Sequence, residues 1–218
     1  TQVDITGLIG QYAHGNEPSH HIAYLYTYAG RPWRTYEMVR EILETQYTDK
    51  PDGLCGNDDC GQMSAWYVLS AIGIYPVTPG SEDFVLTSPL FKDVVITLES
   101  GKTFRIKSDG GKYISSVTLN GQEYTKGYIT FDDIINGGEL QMDLSSRPTQ
   151  YAVAPEDRPV STGYQNFIRN PWFDMESDIF DTSIDVSIDG APQGAKIMYK
   201  VETLKAGETL ERMSDKRL

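Results

Sequence analysis

The spacing of hydrophobic and polar residues changes near Gly80. Before this residue, apolar side chains recur at the spacing of an amphipathic helix, and after it they alternate at every second position. The longest helical pattern opens at Pro32 and continues for about four turns. While its opposite face is charged, its apolar face holds Trp33, Tyr36, Val39, Ile42, Leu43 and Tyr47.

Two further helices are predicted, one on each side of this one. Residues 18–29 begin with a proline, which suits a first helical turn, and Gly30 supplies a left-handed stop. Residues 61–72 form the third helix, which Pro76 cannot continue. The connecting loop, residues 48–59, is rich in glycine, proline and aspartate.

The residues after the period change form a β region, so the predicted fold class is α+β. Asn120-Gly121 has the sequence of a two-residue hairpin turn. Residues 145–165 contain three prolines and little periodicity, which indicates a linker or an ordered connecting arm. Strands are predicted where apolar residues alternate: 95–98, 103–107, 140–144, 184–188 and 197–201.

Charge limits the partners that the chain can bind. It carries 19 Lys and Arg against 31 Asp and Glu, a net charge of -12. Such a surface repels phosphate backbones and anionic membranes, so neither nucleic acid nor a membrane is expected as a partner. Hydrophobic residues make up 39% of the chain, which indicates a globular protein with a core.

The residues with versatile chemistry lie before residue 61. No zinc-binding spacing connects them. Cys60 could act as a nucleophile at the start of a helix, although no histidine is marked as its partner. Neutral histidines in the first turn of a helix can donate hydrogen bonds to a ligand or simply pack. The set comprises His14, His20, His21, Cys55 and Cys60.

Two carboxylate clusters stand out in this region. Glu17 lies at the opening of the first predicted helix, where free N–H groups favour an ionised side chain suited to a cation. Asn16 adds an amide oxygen of the kind that Ca²⁺ prefers. Asp58 and Asp59 are adjacent, so they need a cation, hydrogen bonds or exposure to offset their repulsion. Helix capping and a solvated turn are the alternatives for the two clusters.

The motifs around these clusters strongly resemble glycoside hydrolase family 92 over roughly residues 1–95. Residues 14–21 read His-Gly-Asn-Glu-Pro-Ser-His-His, and residues 29–33 read Ala-Gly-Arg-Pro-Trp. The later motifs, in the same order as in the family, are Gly56-Asn57-Asp58-Asp59, Gly61-Gln62-Met63-Ser64-Ala65-Trp66-Tyr67 and Tyr75-Pro76-Val77-Thr78-Pro79-Gly80.

The resemblance implies an exo-acting, calcium-dependent α-mannosidase that inverts the anomeric centre, most often at α-1,2 links of mannose-containing glycans. Such enzymes place a β-sandwich before an (α/α)6 toroid. Residues 1–80 are thus expected to be the C-terminal helices of the toroid and residues 81–150 a β region that closes the catalytic unit. Residues 151–218 are expected to be a linker and an immunoglobulin-like, sandwich-type module with antiparallel strands.

The resemblance also assigns roles by position. Asn16 and Glu17 match the segment that binds calcium and the terminal sugar. Asp59, with Asp58 as the alternative, matches the general base that activates water. The residues expected to contact the substrate are His14, Glu17, His20, His21 and Gln62.

One family motif has no counterpart in the sequence. An inverting glycosidase also needs an acid, about 6.5–9.5 Å from the base, and the family's acid sits in a Glu-Gly-Asn-Ala-Trp-like segment upstream of these motifs. We therefore expect the C-terminal part of such an enzyme, inactive until the missing N-terminal part completes it. Family analogy implies a periplasmic or extracellular location. The alternative is a noncatalytic glycan-binding or adhesion module that uses residues 81–218.

The assignment depends on a shared pocket. The oxygen atoms of Asn16-Glu17 and those of Asp58-Asp59 must converge on one sugar, although two predicted helices separate them along the chain. Trp33 and Trp66 either stack on that sugar or belong to the core.

Overall fold

The computed structural model describes residues 5–160 and, beyond them, residues 172–174 and 187–189. The chain divides into two compact units, residues 1–161 and 162–218. In the second unit, the described residues form the antiparallel pair β11 (Trp172–Asp174) and β12 (Ser187–Asp189). The strand predicted at 197–201 lies outside the described residues.

The helical part of the first unit opens with a small hairpin of β1 (Leu8–Ile9) and β2 (Tyr12–Ala13). Two 3₁₀ turns follow, Glu17–Ser19 and Ile22–Tyr24. The helices are α1 (Leu25–Tyr28), α2 (Pro32–Thr45) and α3 (Gln62–Ile72).

The prediction of one continuous helix over residues 18–29 is wrong. Its first half closes with i to i+3 hydrogen bonds, such as His20 N to Glu17 O and Tyr24 N to His21 O, instead of the α-helical pattern. The histidines and aromatic residues of this segment have modest helix propensity, and its buried side chains have partners elsewhere in the fold. The stop at Gly30 is confirmed, with φ of +72°.

The helices α2 and α3 form where the pattern predicts them. In α2 the buried positions include Tyr36, Val39 and Ile42, as expected for an amphipathic helix. The helix α3 lies between two glycines in the left-handed conformation, Gly61 and Gly73. No helix within the described residues has both the length and the apolar character needed to cross a membrane.

The β region contains two sheets. Strands β3 (Ile74–Tyr75), β4 (Asp83–Leu86) and β9 (Tyr128–Thr130) form an antiparallel sheet in the order β3-β4-β9. The short helix α4 (Phe131–Ile135) follows β9. The second sheet has the order β5-β6-β10-β7-β8 and contains β5 (Asp93–Thr97), β6 (Thr103–Ser108), β7 (Tyr113–Leu119), β8 (Gln122–Glu123) and β10 (Gly138–Ser145).

The five-stranded sheet is not purely antiparallel, because β10 pairs in parallel with β6, with Leu140 opposite Ile106. The predicted hairpin turn is confirmed between β7 and β8, where Asn120 and Gly121 both have positive φ. Alternate residues of β6 and β10 are buried, including Phe104, Ile106, Leu140 and Met142.

The two sheets and α2 share one core. Tyr36 of α2, Ile74 of β3 and Leu86 of β4 belong to the same buried cluster as the central strands of the larger sheet. Side chains from both sides of residue 80 are therefore packed together. A second cluster, centred on Tyr24 and Trp66, packs α2 against α3 and the segment before them. The predicted α+β class is confirmed.

Candidate functional site

Two glycines bring the two carboxylate-bearing loops into contact. A Cβ atom placed on Gly56 would lie 2.8 Å from the Cα atom of Gly15, closer than real Cβ contacts allow. A Cβ atom on Gly15 would in turn lie 3.2 Å from the backbone oxygen of Cys55. The loop that carries Asn16-Glu17 therefore touches the loop that carries Asp58-Asp59.

A pocket of about 700 Å³ has Glu17, two residues after Gly15, in its wall. Its volume falls within the range of about 300–1,000 Å³ that is typical of ligand sites. Four of the residues predicted to bind substrate line it: Glu17, His20, His21 and Gln62. The rest of the wall includes Leu25, Trp66 and the segment from Tyr75 to Ser81. The remaining predicted residues, which do not line this pocket, are His14, Asn16, Asp58 and Asp59.

One side-chain oxygen of Glu17, Oε1, is buried without a hydrogen-bond partner in the described residues. A buried carboxylate oxygen without a partner is costly, so it is the kind of atom that a cation or a ligand hydroxyl satisfies. The Asn16 side chain does not cap the 3₁₀ turn that follows it, which leaves that amide available for a ligand. These two residues fit a hard cation such as Ca²⁺.

His14 is fully buried and is part of a chain of hydrogen bonds. Its Nδ1 lies 2.7 Å from Tyr12 Oη, and its Nε2 lies 2.6 Å from Tyr47 Oη. The Tyr47 hydroxyl donates to the backbone oxygen of Met63 at 3.1 Å, so it accepts from His14 Nε2–H. Burial lowers the pKa of His14 to about 3. The ring is therefore neutral and positions other residues, without lining the pocket itself.

His20 lies between His14 and the pocket. Its ring stacks on the His14 ring with 4.7 Å between centroids. Its Nε2 lies 3.0 Å from the backbone oxygen of His14, and its Nδ1 lies 3.1 Å from Gln62 Nε2. Burial is the main cause that lowers the pKa of His20. By contrast, His21 is exposed at the rim of the pocket.

Two aromatic residues of the pocket wall contact the predicted site residues: Tyr75, which was not predicted to bind substrate, and Trp66, for which stacking on the sugar was one of two alternatives. Tyr75 accepts a hydrogen bond from Gln62 Nε2 at 3.2 Å. Trp66 is fully buried, and its Nε1 donates to the backbone oxygen of His20 at 3.1 Å. Periodicity alone assigned Trp66 to either the core or the sugar, and the structure shows a core residue that also reaches the pocket wall. Trp33 packs against the core of the larger sheet.

The loop before α3 has unusual backbone geometry. Asp59, Cys60 and Gly61 have φ values of +43°, +60° and +90°, three left-handed residues in succession. Such strain at non-glycine residues is typical of functional segments. Asp58 Oδ1 accepts a hydrogen bond from the backbone N–H of Ser64 at 2.9 Å, so this carboxylate stabilises the start of α3.

No group of three or more His, Cys, Asp or Glu side chains within the described residues is arranged to hold a metal ion. A cation at Asn16-Glu17 would therefore need further ligands other than a cluster of these side-chain types. Both cysteines are free thiols, with Cys60 exposed and Cys55 half-buried.

The family model of the glycosyl hydrolase family 92 catalytic domain matches residues 1–146, about two thirds of the chain. The chain belongs to glycosyl hydrolase family 92. A relative from Arthroderma benhamiae, described as an uncharacterized secreted glycosidase, is 33% identical over 156 residues. That alignment covers 68% of this chain and 20% of the relative.

Solved structures of family 92 share the fold. A family GH92 α-mannosidase from Bacteroides thetaiotaomicron in complex with mannoimidazole is 42% identical, with a TM-score of 0.70. The match covers 72% of this chain and 21% of that enzyme. A family GH92 inverting mannosidase from Bacteroides thetaiotaomicron VPI-5482 is 45% identical, with a TM-score of 0.65, over 70% of this chain and 21% of its own. This family 92 chain therefore spans about a fifth of the length of the relatives it matches.

Proposed function

We propose that the chain supplies one side of the active site of an inverting, calcium-dependent exo-α-mannosidase. The substrate is mannose at the ends of glycans, principally in α-1,2 linkage. Family membership supports this proposal, as do the similar structures of an inverting mannosidase and of an α-mannosidase with mannoimidazole bound. The observation that carries it is that Glu17, whose Oε1 is buried without a partner in the described residues, lines a pocket that Gln62 also lines.

In this proposal, Asn16 and Glu17 hold the calcium ion. Calcium bound there supplies a positive charge that orients neighbouring sugar hydroxyls. The support is local, since the buried oxygen of Glu17 lacks a partner and the Asn16 amide is not used as a cap. Gln62 and His21 lie on the same pocket wall as Glu17, where they would contact a sugar held beside the cation.

Asp59, with Asp58 as the alternative, is proposed as the general base from its position in the family motif. The Asp59 carboxylate accepts a proton from water as the water oxygen bonds to the anomeric carbon. The bond from that carbon to the leaving oxygen breaks, and a carboxylic acid protonates the leaving oxygen. We assign that acid to a part of the enzyme outside this chain. On its own, the chain would thus have no hydrolytic activity.

The test is mannose release by the protein encoded by the full reading frame, with α-1,2-mannobiose as substrate. We expect activity that a chelator abolishes and Ca²⁺ restores, and NMR of the reaction should show β-mannose as the first product. Asp59→Asn should lower kcat by at least about a hundredfold, as expected for loss of a general base, while the matched Asp132→Asn on the exposed start of α4 should not. Activity that persists without divalent cations, or α-mannose as the first product, would contradict the proposal.

We also propose a location outside the cytoplasm, in the periplasm or the extracellular space. The support is that the relative from Arthroderma benhamiae is described as secreted. Fractionation of the native host, followed by detection of the protein in each fraction, tests this.

A further inference from the structure

The hydrogen bonds of His20 define which of its ring nitrogens carries the proton. Its Nε2 faces the backbone oxygen of His14 at 3.0 Å, and a carbonyl oxygen can only accept. Nε2 is therefore protonated. The neutral ring then presents a bare Nδ1, which accepts a hydrogen bond. The ring is 2% exposed, and the Gln62 amide that faces Nδ1 offers a donor, which fits an unprotonated Nδ1.

The bare nitrogen of His20 in turn orients the amide of Gln62. Gln62 Nε2 lies 3.1 Å from His20 Nδ1 and 3.2 Å from Tyr75 Oη, so each of its two protons has a partner. A flipped amide would place the carbonyl oxygen of Gln62 against the lone pair of Nδ1, which is repulsive. The end of the amide left for the pocket is thus the acceptor, Oε1.

We infer that Gln62 is a fixed hydrogen-bond acceptor for one hydroxyl of the bound sugar, and that His20 and Tyr75 are positioning residues that fix the direction of its amide. This inference rests on the proposed function, because it takes a pyranose as the occupant of the pocket. It assigns His20 an indirect role: the ring acts on the ligand through Gln62.

The rest of the wall is consistent with recognition of hydroxyl donors. Glu17 lines the same pocket, and its carboxylate oxygens are also acceptors. A site with acceptors in fixed directions favours a ligand hydroxyl and rejects an analogue that lacks it, since the acceptor is then left without a partner. His14 helps to hold the His20 ring in place. Its ring stacks on His20, and its backbone oxygen accepts the hydrogen bond from His20 Nε2–H.

The tautomer can be tested without any activity measurement. The ¹⁵N NMR spectrum of the 218-residue chain, with signals assigned by His14→Gln and His21→Gln, should show His20 protonated at Nε2 and unprotonated at Nδ1. Gln62→Glu removes both donors, so Nδ1 should lose its hydrogen bond from the amide and its ¹⁵N signal should shift from the wild-type position. A wild-type His20 protonated at Nδ1 would overturn the inference.

The role of Gln62 in recognition is tested with a panel of 2-, 3-, 4- and 6-deoxymannosides and the full-length enzyme. Wild type should discriminate strongly against one member of the panel, and Gln62→Met should lose that discrimination while it binds the other members about equally well. Tyr75→Phe removes one of two anchors and should lower kcat/KM about fivefold, the equivalent of one hydrogen bond. The matched control, Tyr67→Phe on the same helix as Gln62, should have little effect.

Failure of the two proposals gives different results. An enzyme that releases no mannose contradicts the proposed function and leaves the tautomer measurement standing. An active enzyme in which Gln62→Met leaves discrimination unchanged for all four deoxymannosides contradicts the role of Gln62 alone.

Discussion

The rings of His14 and His20 stack with 4.7 Å between their centroids, and both are buried. Two imidazoles at this distance cannot both be charged without strong repulsion, and burial already disfavours either charge. The pair therefore functions as neutral hydrogen-bonding groups. Through Tyr12 and Tyr47 on one side and Gln62 on the other, it connects the core to the pocket wall.

Acid should destabilise the fold through His14. Burial lowers the pKa of its imidazole from 6.5 to about 3 in the folded protein, so the unfolded chain takes up the proton first. The stabilisation is complete above pH 6.5 and is lost as the pH falls towards 3, with a slope of up to about 1.4 kcal/mol per pH unit. Urea unfolding between pH 7 and pH 4 measures the slope.

The matched comparison is His14→Gln, which removes the titrating group, against His21→Gln at an exposed position. His14→Gln should flatten the dependence on pH, and His21→Gln should leave it unchanged. Equal slopes for wild type and His14→Gln would show that other groups govern the loss of stability in acid.

Glu17→Gln should stabilise the protein in the absence of metal. The substitution keeps a polar atom in the buried position of Oε1 but removes its negative charge, and an unpartnered charged group costs more than a neutral one, for which the cost is about 1–3 kcal/mol. The same substitution should abolish the stabilisation that Ca²⁺ gives to wild type. Thermal unfolding with chelator and with Ca²⁺ measures both effects.

Glu123→Gln, on the exposed strand β8, serves as the control and should respond to Ca²⁺ as wild type does. A Glu17→Gln protein that is less stable than wild type in chelator would mean that Oε1 has a partner after all.

Gly56→Ala should separate the two loops. The added Cβ atom would lie 2.8 Å from the Cα atom of Gly15, and overpacking of this kind costs about 1–3 kcal/mol. In the full-length enzyme, kcat/KM should fall by more than the loss of folded protein explains, because the two loops carry Glu17 and Asp59. Gly10→Ala is the control for activity: nothing lies within 4 Å of the added atom, so any loss of stability there comes from backbone strain at its φ of +60°, and kcat/KM should stay unchanged. Unchanged kcat/KM in Gly56→Ala would show that the contact between the loops is dispensable.

Substitutions at Asp58 and Asp59 should separate stability from activity. Asp58→Ala removes the acceptor for the Ser64 N–H and should cost about 1 kcal/mol of stability. Asp59→Gly should remove activity, as expected for loss of a general base, and glycine adopts the positive φ of this position without strain. Chemical denaturation and mannose release, measured on the same samples, separate the two roles. An active Asp59→Gly protein would transfer the role of general base to Asp58.

Elements defined by local sequence were the ones that could be predicted. The helix α2 follows from one amphipathic stripe, and the turn at Asn120-Gly121 follows from two residues that tolerate positive φ. The segment before α2 was predicted less well, because His20 and Tyr24 are held by partners more than 40 residues away in α3, Gln62 and Ser70. Propensity cannot register such contacts.

For the same reason, the sequence predicted only part of the candidate site. Glu17 and Gln62 were recognised from motifs, and the structure places both at one pocket. Tyr75 was part of a recognised motif, yet its hydrogen bond to Gln62 depends on how β3 returns beside α3. The roles of all these residues in binding and catalysis stay predictions that the proposed experiments test.

The position of β10 constrains how the molecule can be made. It is the last of the five strands along the chain, yet it occupies the centre of the sheet, between β6 and β7. Until residue 145 has left the ribosome, those two strands each present an open edge of unpaired backbone groups. Synthesis that stalls shortly before Gly138 would accordingly release a nascent chain prone to aggregate, with its largest sheet in two unjoined halves.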